Sequence, residues 1–311
     1  MIHLRAYMAI GALTLGGCTG EANRTDTFPP LKEVRIAFRA NDESPDTTRR
    51  LAAYEALMAR ATGLPVKVFQ SSDYNGIIQA MASNQVDMAT MAGSSYANLD
   101  AQVGDKARPI LTAREAEGGT GYYSAIIVRA DSPYRTLADL RGRSIGYVDF
   151  NSTSGYLYPR ERMRAEGLDP DAYFSKTGFA GGHTQAVMAL ENGQFDAAVV
   201  QMSGGTPQTG FTTGALYTLA RRGVVDIKAF RVVWTVGPVP NAAIVVRTDR
   251  PQAFIDEVRG AMASLPYDEP DLWPNIGQLD GSAFTAVDRS HYAEVIKLRD
   301  DDLAQRRGGR P

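Results

Sequence analysis

The sequence predicts an α/β protein of two similar lobes, each a mostly parallel sheet flanked by helices, with two crossing strands between them as a hinge. Three observations carry this. Apolar runs of period two alternate with runs of helical period along each half of the chain. The two halves superimpose at a shift of 109 positions, the interval from Tyr74 to His183. Two apolar strands end in matching segments, Val128-Arg129-Ala130-Asp131 and Val246-Arg247-Thr248-Asp249, each before a proline-marked turn.

In the first half the elements expected are a strand at Val34 to Arg39, a helix from Asp46 to Thr62 ended by Gly63, and a strand at Val66 to Gln70. A helix from Tyr74 to Ser83 and a strand at Met88 to Met91 follow. The second half repeats them: a strand at Ser144 to Val148, a helix from Ser152 to Glu166 closed by Gly167, a strand at Ser175 to Phe179, a helix from His183 to Asn192 and a strand at Ala197 to Gln201. Pro159 falls inside the expected Ser152 helix, which therefore starts late or bends there. The repeat is clearest where Tyr74 to Asp87 falls on His183 to Asp196. Tyr122 to Arg129 and Ala242 to Arg247 read as the strands that cross between lobes and let them hinge.

In open parallel sheets, ligands lie beyond the carboxyl ends of the strands, where loops meet helix starts. Two facing lobes would aim four such starts into one cleft: near Ser44, near Tyr74, at Ser152 to Ser154, and at His183. The run Asp149-Phe150-Asn151-Ser152-Thr153-Ser154-Gly155-Tyr156 puts three hydroxyl residues where strand gives way to helix. A helix start has unpaired N–H groups and the positive end of the helix dipole, so it suits an anion without any lysine or arginine.

At the N-terminus a short cationic stretch, Met1 to Arg5, precedes an apolar run, Ala6 to Leu15, too short to span a bilayer. Leu15-Gly16-Gly17-Cys18 follows and resembles a bacterial lipobox, with Cys18, the sole cysteine, as the acylated residue. The division expected is a signal peptide at 1–17, an acylated cysteine and tether at 18–33, a first lobe at 34–125 and a second lobe at 126–241. A return into the first lobe at 242–295 and a polar C-terminal tail at 296–311 complete it. The 33 basic and 35 acidic residues of this 311-residue chain are interspersed, with no basic stripe outside that tail, so no nucleic-acid partner is expected.

These residues resemble the phosphonate-binding proteins of ABC importers, within the wider group that binds phosphate, phosphite and phosphonate. The resemblance rests on Asp149 to Leu157, Gly178-Phe179-Ala180-Gly181-Gly182-His183, Val239-Pro240-Asn241 before Ile244 to Arg247, and Gly93-Ser94-Ser95-Tyr96. It implies the two-lobed type II periplasmic binding-protein fold, an extracytoplasmic location and a permease partner in the inner membrane; with the anchor at Cys18 a membrane-anchored monomer is expected. It also implies that Ser152, Thr153, Ser154 and His183 hold a phosphorus oxoanion from the second lobe. Tyr74 and Tyr122 would close on it from the first lobe, with Ser95 or Tyr96 nearby and Asn241 as a further contact.

Relatives that bind 2-aminoethylphosphonate hold its ammonium with carboxylates near the strand after the histidine helix. Ala197 to Thr213 contains no acid, with Gln201, Met202 and Ser203 where one is sought, which favours phosphite, phosphate or a small neutral-tailed phosphonate. Glu115, Glu117 and Asp42 remain as acids on other loops.

No cofactor and no catalytic residue is expected. A nucleotide P-loop and a paired-histidine zinc motif are both missing from the sequence, and His183 and His291 are the histidines left after signal removal. A ligand-sensing lipoprotein that reports to a membrane receptor and a phosphate-ester hydrolase using a site serine with His183 remain the alternative readings.

Overall fold

The computed structural model describes residues 28, 30–39, 45–115, 118–270, 272 and 283–308, with the backbone alone at 45–47. The signal segment, Cys18, Asp42, Ser44 and Glu117 lie outside the described residues, as does most of the tether.

The first half runs β1 (Val34–Arg39), α1 (Pro45–Thr62), β2 (Val66–Ser71), α2 (Tyr74–Ala82), β3 (Met88–Met91), α3 (Gly93–Val103) and β4 (Ala107–Arg114). The second runs β5 (Gly121–Arg129), β6 (Ser144–Tyr147), a π-helical turn (Thr153–Leu157) leading into α4 (Tyr158–Ala165), α5 (Pro170–Tyr173), β7 (Lys176–Phe179), α6 (His183–Glu191), β8 (Ala197–Ser203), β9 (Thr213–Gly214), α7 (Ala215–Arg221) and β10 (Phe230–Pro240). The chain returns through β11 (Ala243–Arg247), α8 (Gln252–Asp268), β12 (Ala283–Ala286) and α9 (Ala293–Gly308).

Two six-stranded sheets result, the first ordered β12-β4-β11-β3-β1-β2 and the second β10-β5-β8-β6-β7 with β9 on β8. They are mixed rather than mostly parallel: β1, β2 and β3 are parallel, while β11, β4 and β12 add antiparallel strands beside them.

The sequence repeat is a repeat of register. Ile36 faces Val68 and Met88 in the first sheet, and Ile145 faces Thr177 and Ala197 in the second, every pair displaced by the same interval. Asp87 accepts the Arg35 backbone N–H at 2.8 Å, and its counterpart Asp196 accepts the Ser144 N–H at 2.9 Å. The helix starts repeat too, Tyr74 opening α2 and His183 opening α6.

Period-two alternation serves both faces, because each central strand is covered on both sides. In the first sheet Ile36, Met88, Ile244 and Val246 pack with Tyr54 and Met58 of α1 and Val258 and Met262 of α8. Ala37, Ala89 and Val245 pack with α2, α3 and α9 on the other face. In the second, Ala125, Ile127, Ala198 and Val200 lie with α6 and α7, while Ile126, Val128 and Val199 face Tyr147, Tyr156 and Met163.

Three parts of the sequence-based division change. Strand β5 lies wholly in the second sheet, paired to β8 and β10, so the outward crossing falls between Arg114 and Gly121 rather than after residue 125. The two crossings run side by side: Asn241 donates its N–H to the Thr120 carbonyl at 2.9 Å, and Thr112 Oγ1 donates to the Ala242 carbonyl at 2.9 Å. Pro159 sits in the first turn of α4, so the helix starts late and Ser152 to Leu157 form a turn of their own.

Of the expected polar tail, residues 296–308 belong to a helix, Ala293–Gly308, that packs on α3, on the π-helical turn and on α4. Arg299 and Asp302 are buried in it, the guanidinium 4.4 Å from the Phe150 ring centroid and donating to the Phe150 carbonyl at 2.7 Å and to Ser94 Oγ. Asp302 also accepts from Arg164 at 3.1 Å and Arg306 at 3.2 Å. The charge of Arg299 and Asp302 is thus compensated inside, while Arg306 and Arg307 stay exposed.

Candidate functional site

The carboxyl ends of β1, β6 and β8, the starts of α2 and α6, and both crossing segments converge where the lobes meet. Tyr74, Tyr122, Ser152, His183 and Asn241 line one cavity of about 30 Å³. Arg39, Tyr74 and Ser95 line an adjoining one of about 20 Å³ that shares Tyr74, Ala92 and Ala242 with the first. Space of that size takes more than one water, the scale of a small inorganic group.

Gly182 gives α6 no side-chain cap, so its N-terminal N–H groups are left for solvent or ligand. The start of α2 differs. Asp73 accepts from the Asn75 and Gly76 N–H groups, both at 3.0 Å, so a carboxylate already occupies the end expected to face an anion.

His183 is 6% exposed, and its Nδ1 accepts the Gln201 backbone N–H at 3.1 Å, which leaves the proton on Nε2. Burial first, and the nearby positive charge of Arg39 second, push its pKa down to about 3. The imidazole is therefore a neutral donor across the physiological range.

The hydroxyl trio divides its work. Ser152 lines the cavity while its Oγ accepts the Gly155 N–H at 3.0 Å. Ser154 Oγ accepts from the Tyr122 hydroxyl at 3.1 Å, and its carbonyl accepts from Ser124 Oγ at 2.6 Å. Thr153 lies on the seam between lobes, Oγ1 accepting the Ser94 N–H at the start of α3 at 2.9 Å. Beside it Ser95 Oγ donates to the Asn151 carbonyl at 3.1 Å, and Asn98 Nδ2 donates to Asn151 Oδ1 at 2.5 Å. The turn that presents these groups needs Gly155: a Cβ there would lie 2.4 Å from Val148 Cβ, inside any tolerable contact.

Burial raises the Tyr122 phenol above its usual range, so it stays protonated and its one proton goes to Ser154 Oγ. Tyr122 belongs to the second sheet through β5 and not to the first lobe, whereas Tyr74 comes from the first lobe and packs into the second lobe's apolar cluster. Tyr96 is a core residue: fully buried, edge-on to Tyr292 at 5.5 Å, with its hydroxyl on Asp100 at 3.3 Å. Asn241 lines the cavity, but its Nδ2 hydrogens go to the Ala113 carbonyl at 3.0 Å and Glu115 Oε1 at 2.8 Å.

Several lining residues were not among those expected to bind. Gln201 and Ser203 end β8 where an acid was sought, Glu115 enters from the outward crossing, and Arg39 ends β1. Arg39 corrects the expectation of a site without lysine or arginine. Its guanidinium lies 4.6 Å from the Tyr74 ring centroid, and its charge is felt at His183, Tyr122 and Asp149. Its signal in the sequence was its place at the carboxyl end of a parallel strand, the end beyond which ligands bind in such sheets. Among the described residues no group of three or more His, Cys, Asp or Glu side chains could hold a metal, and no helix is long and apolar enough to cross a membrane.

The chain is 31% identical over 199 residues to the phosphate-import protein PhnD of Mycolicibacterium smegmatis, covering 60% of this chain and 61% of that one. It is 32% identical over 208 residues to the phosphonates-binding periplasmic protein of Escherichia coli, covering 65% and 56%. It thus spans roughly three fifths of the length of these curated relatives. A binding protein component of an ABC phosphonate transporter from Pseudomonas aeruginosa shares the fold, with a TM-score of 0.71 at 23% identity over 88% of this chain and 87% of that one. The family model for periplasmic substrate-binding proteins of phosphonate ABC transporters matches residues 36–292, from β1 to the residue before α9. A duplicated register, a cleft between two lobes and that match lead to one conclusion: the chain belongs to the phosphonate-binding family of periplasmic substrate-binding proteins.

Proposed function

We propose that the protein captures a phosphorus oxoanion, a phosphonate, phosphite or phosphate, in the cleft between its lobes and delivers it to an ABC permease in the inner membrane. In this reading Cys18 carries the lipid anchor and the protein works as an extracytoplasmic monomer. The observation that carries it is the meeting of Tyr74, Tyr122, Ser152 and His183, brought from both lobes, around one small cavity beside Arg39. Hydroxyl and imidazole N–H donors with one cation suit a tetrahedral anion, and closure of both lobes on it supplies a signal for a permease.

Sufficiency can be judged by magnitude. A micromolar dissociation constant needs about −8 kcal/mol, and hydrogen bonds to a charged group contribute about 1.5–3 kcal/mol each. Five or six donors suffice after desolvation. The tautomer of His183 weighs against hydrolysis, because an Nε2 that carries the proton cannot take one from Ser152.

Calorimetric titration with methylphosphonate, phosphite and phosphate tests the proposal. Micromolar binding of at least one, with no binding of an uncharged analogue, is expected. No binding of any at millimolar concentration, together with turnover of a phosphate ester, would replace it with an enzyme.

A further inference from the structure

Helix α9 lies beyond the residues that the family match covers, and it touches both lobes. Its start is rooted in the first lobe. Tyr292 and Val295 lie in the apolar cluster on the α3 face of the first sheet, and a Cβ at Gly93 would stand 3.4 Å from each, so the first turn of α3 is pressed against them. Arg289, just before the helix, holds Asp100 of α3 at 2.8 Å.

Further along, the same helix meets the second lobe. Asp302 accepts from Arg164 of α4 at 3.1 Å. Arg299 donates to the Phe150 carbonyl at 2.7 Å and to Ser94 Oγ, one partner from each lobe. Phe150 stands two residues before Ser152, in the turn that borders the oxoanion cavity. A cation as deep as Arg299, 1% exposed, is costly to keep, and burial pushes its pKa down to about 10. Parting the lobes would strip Arg299 of the Phe150 carbonyl and ring, and Asp302 of Arg164.

Resting on the oxoanion reading above, we propose that α9 is a strap across the lobes: rooted on the first, it engages the second through Asp302 with Arg164 and Arg299 with Phe150 when the cleft closes, and so sets the ligand's affinity without touching it. Measured affinity falls with the fraction of protein able to adopt the binding arrangement, and a contact formed only on closure raises that fraction. Arg164, Arg299 and Asp302 are thus positioning residues, Arg299 acting directly on the turn that carries Ser152.

Titration with methylphosphonate, phosphite and phosphate, and hydrogen exchange along α9 with and without the tightest of them, test the proposal on the full chain. Exchange of residues 299–308 should slow at least fivefold when ligand is bound, although none of them lines either small cavity. Arg164→Gln should weaken binding at least fivefold and remove most of that protection, and Arg164→Lys, which keeps the charge, should restore most of both. Asp302→Asn attacks the same pair from the other lobe and should match the glutamine variant. The losses should not add in the double variant, because one contact is removed twice. Arg162→Gln, which breaks an exposed pair with Glu166 inside α4, should leave affinity and exchange as in the parent. Parent affinity in Arg164→Gln and Asp302→Asn, fully additive losses, or α9 exchange indifferent to ligand would each overturn the strap and leave the oxoanion reading standing. Absence of binding of all three probes by the parent would overturn both.

Discussion

Replacing Arg39 with methionine is expected to weaken binding of dianionic methylphosphonate by about tenfold to a hundredfold, the equivalent of about 1.5–3 kcal/mol for a charge-assisted interaction. Methionine keeps an unbranched stem against Tyr74, so the ring loses its cation and keeps much of its packing. The argument is one of reach. A guanidinium whose field lowers the proton affinity of His183 acts on the same space as an anion placed beside that imidazole. Two readouts should move together in the variant: the dissociation constant rises, and the acid-limb titration of His183 moves back toward the ordinary histidine range. Calorimetry in low and moderate salt checks the first, since the loss should be larger at low salt. An unchanged affinity would reduce Arg39 to a packing residue for Tyr74.

His183 should carry the other large effect, on stability against pH. Its pKa is about 3 in the folded protein, below the ordinary histidine value of about 6.5 expected when unfolded. Between those values the unfolded chain binds a proton that the folded chain refuses. Stability from this group is therefore fully present above the unfolded value and is lost as pH falls toward the folded one. The slope is about 1.4 kcal/mol per pH unit within that window. Carboxylates titrate there too, so a variant must isolate the histidine.

His183→Asn does so, because its Oδ1 can take over the Gln201 N–H that Nδ1 accepts, while the Nε2 donor is lost. Denaturant melts from pH 7 to pH 4 should show a shallower acid loss in His183→Asn than in the unaltered protein, together with at least tenfold weaker methylphosphonate binding at pH 7. His183→Ala should also lose about 1–3 kcal/mol of stability, because it leaves the Gln201 N–H buried without a partner. Equal acid slopes in the asparagine variant and the parent would remove His183 as the source.

Most of the architecture was legible because both sheets reuse one pattern. A repeat of strand, helix and strand at constant interval leaves little freedom in pairing, and the ladders at Ile36 and Ile145 carry the same register. Tyr74 and His183 were found for that reason, as equivalent first residues of equivalent helices.

What escaped the sequence was decided by partners far along the chain. Strand β10 is an edge strand containing Pro238 and Pro240, which an edge tolerates but which break the alternating pattern by which strands are recognised. Helix α9 is charged along much of its length, and only its neighbours make Arg299 and Asp302 buried partners instead of solvated ones. Arg39 looks like any charge at the end of a strand until Tyr74 is seen beneath it. Ser95 and Tyr96 are adjacent in sequence, yet helix geometry sends one to the seam and the other into the core.

A crystal structure of the protein grown with methylphosphonate is the most direct measurement of whether the cleft holds a phosphorus oxoanion. The result expected is a tetrahedral group enclosed by Tyr74, Tyr122, Ser152 and His183, within hydrogen-bonding distance of His183 Nε2. A ligand bound on an outer face of either lobe, with the space beside His183 filled by water alone, would contradict it.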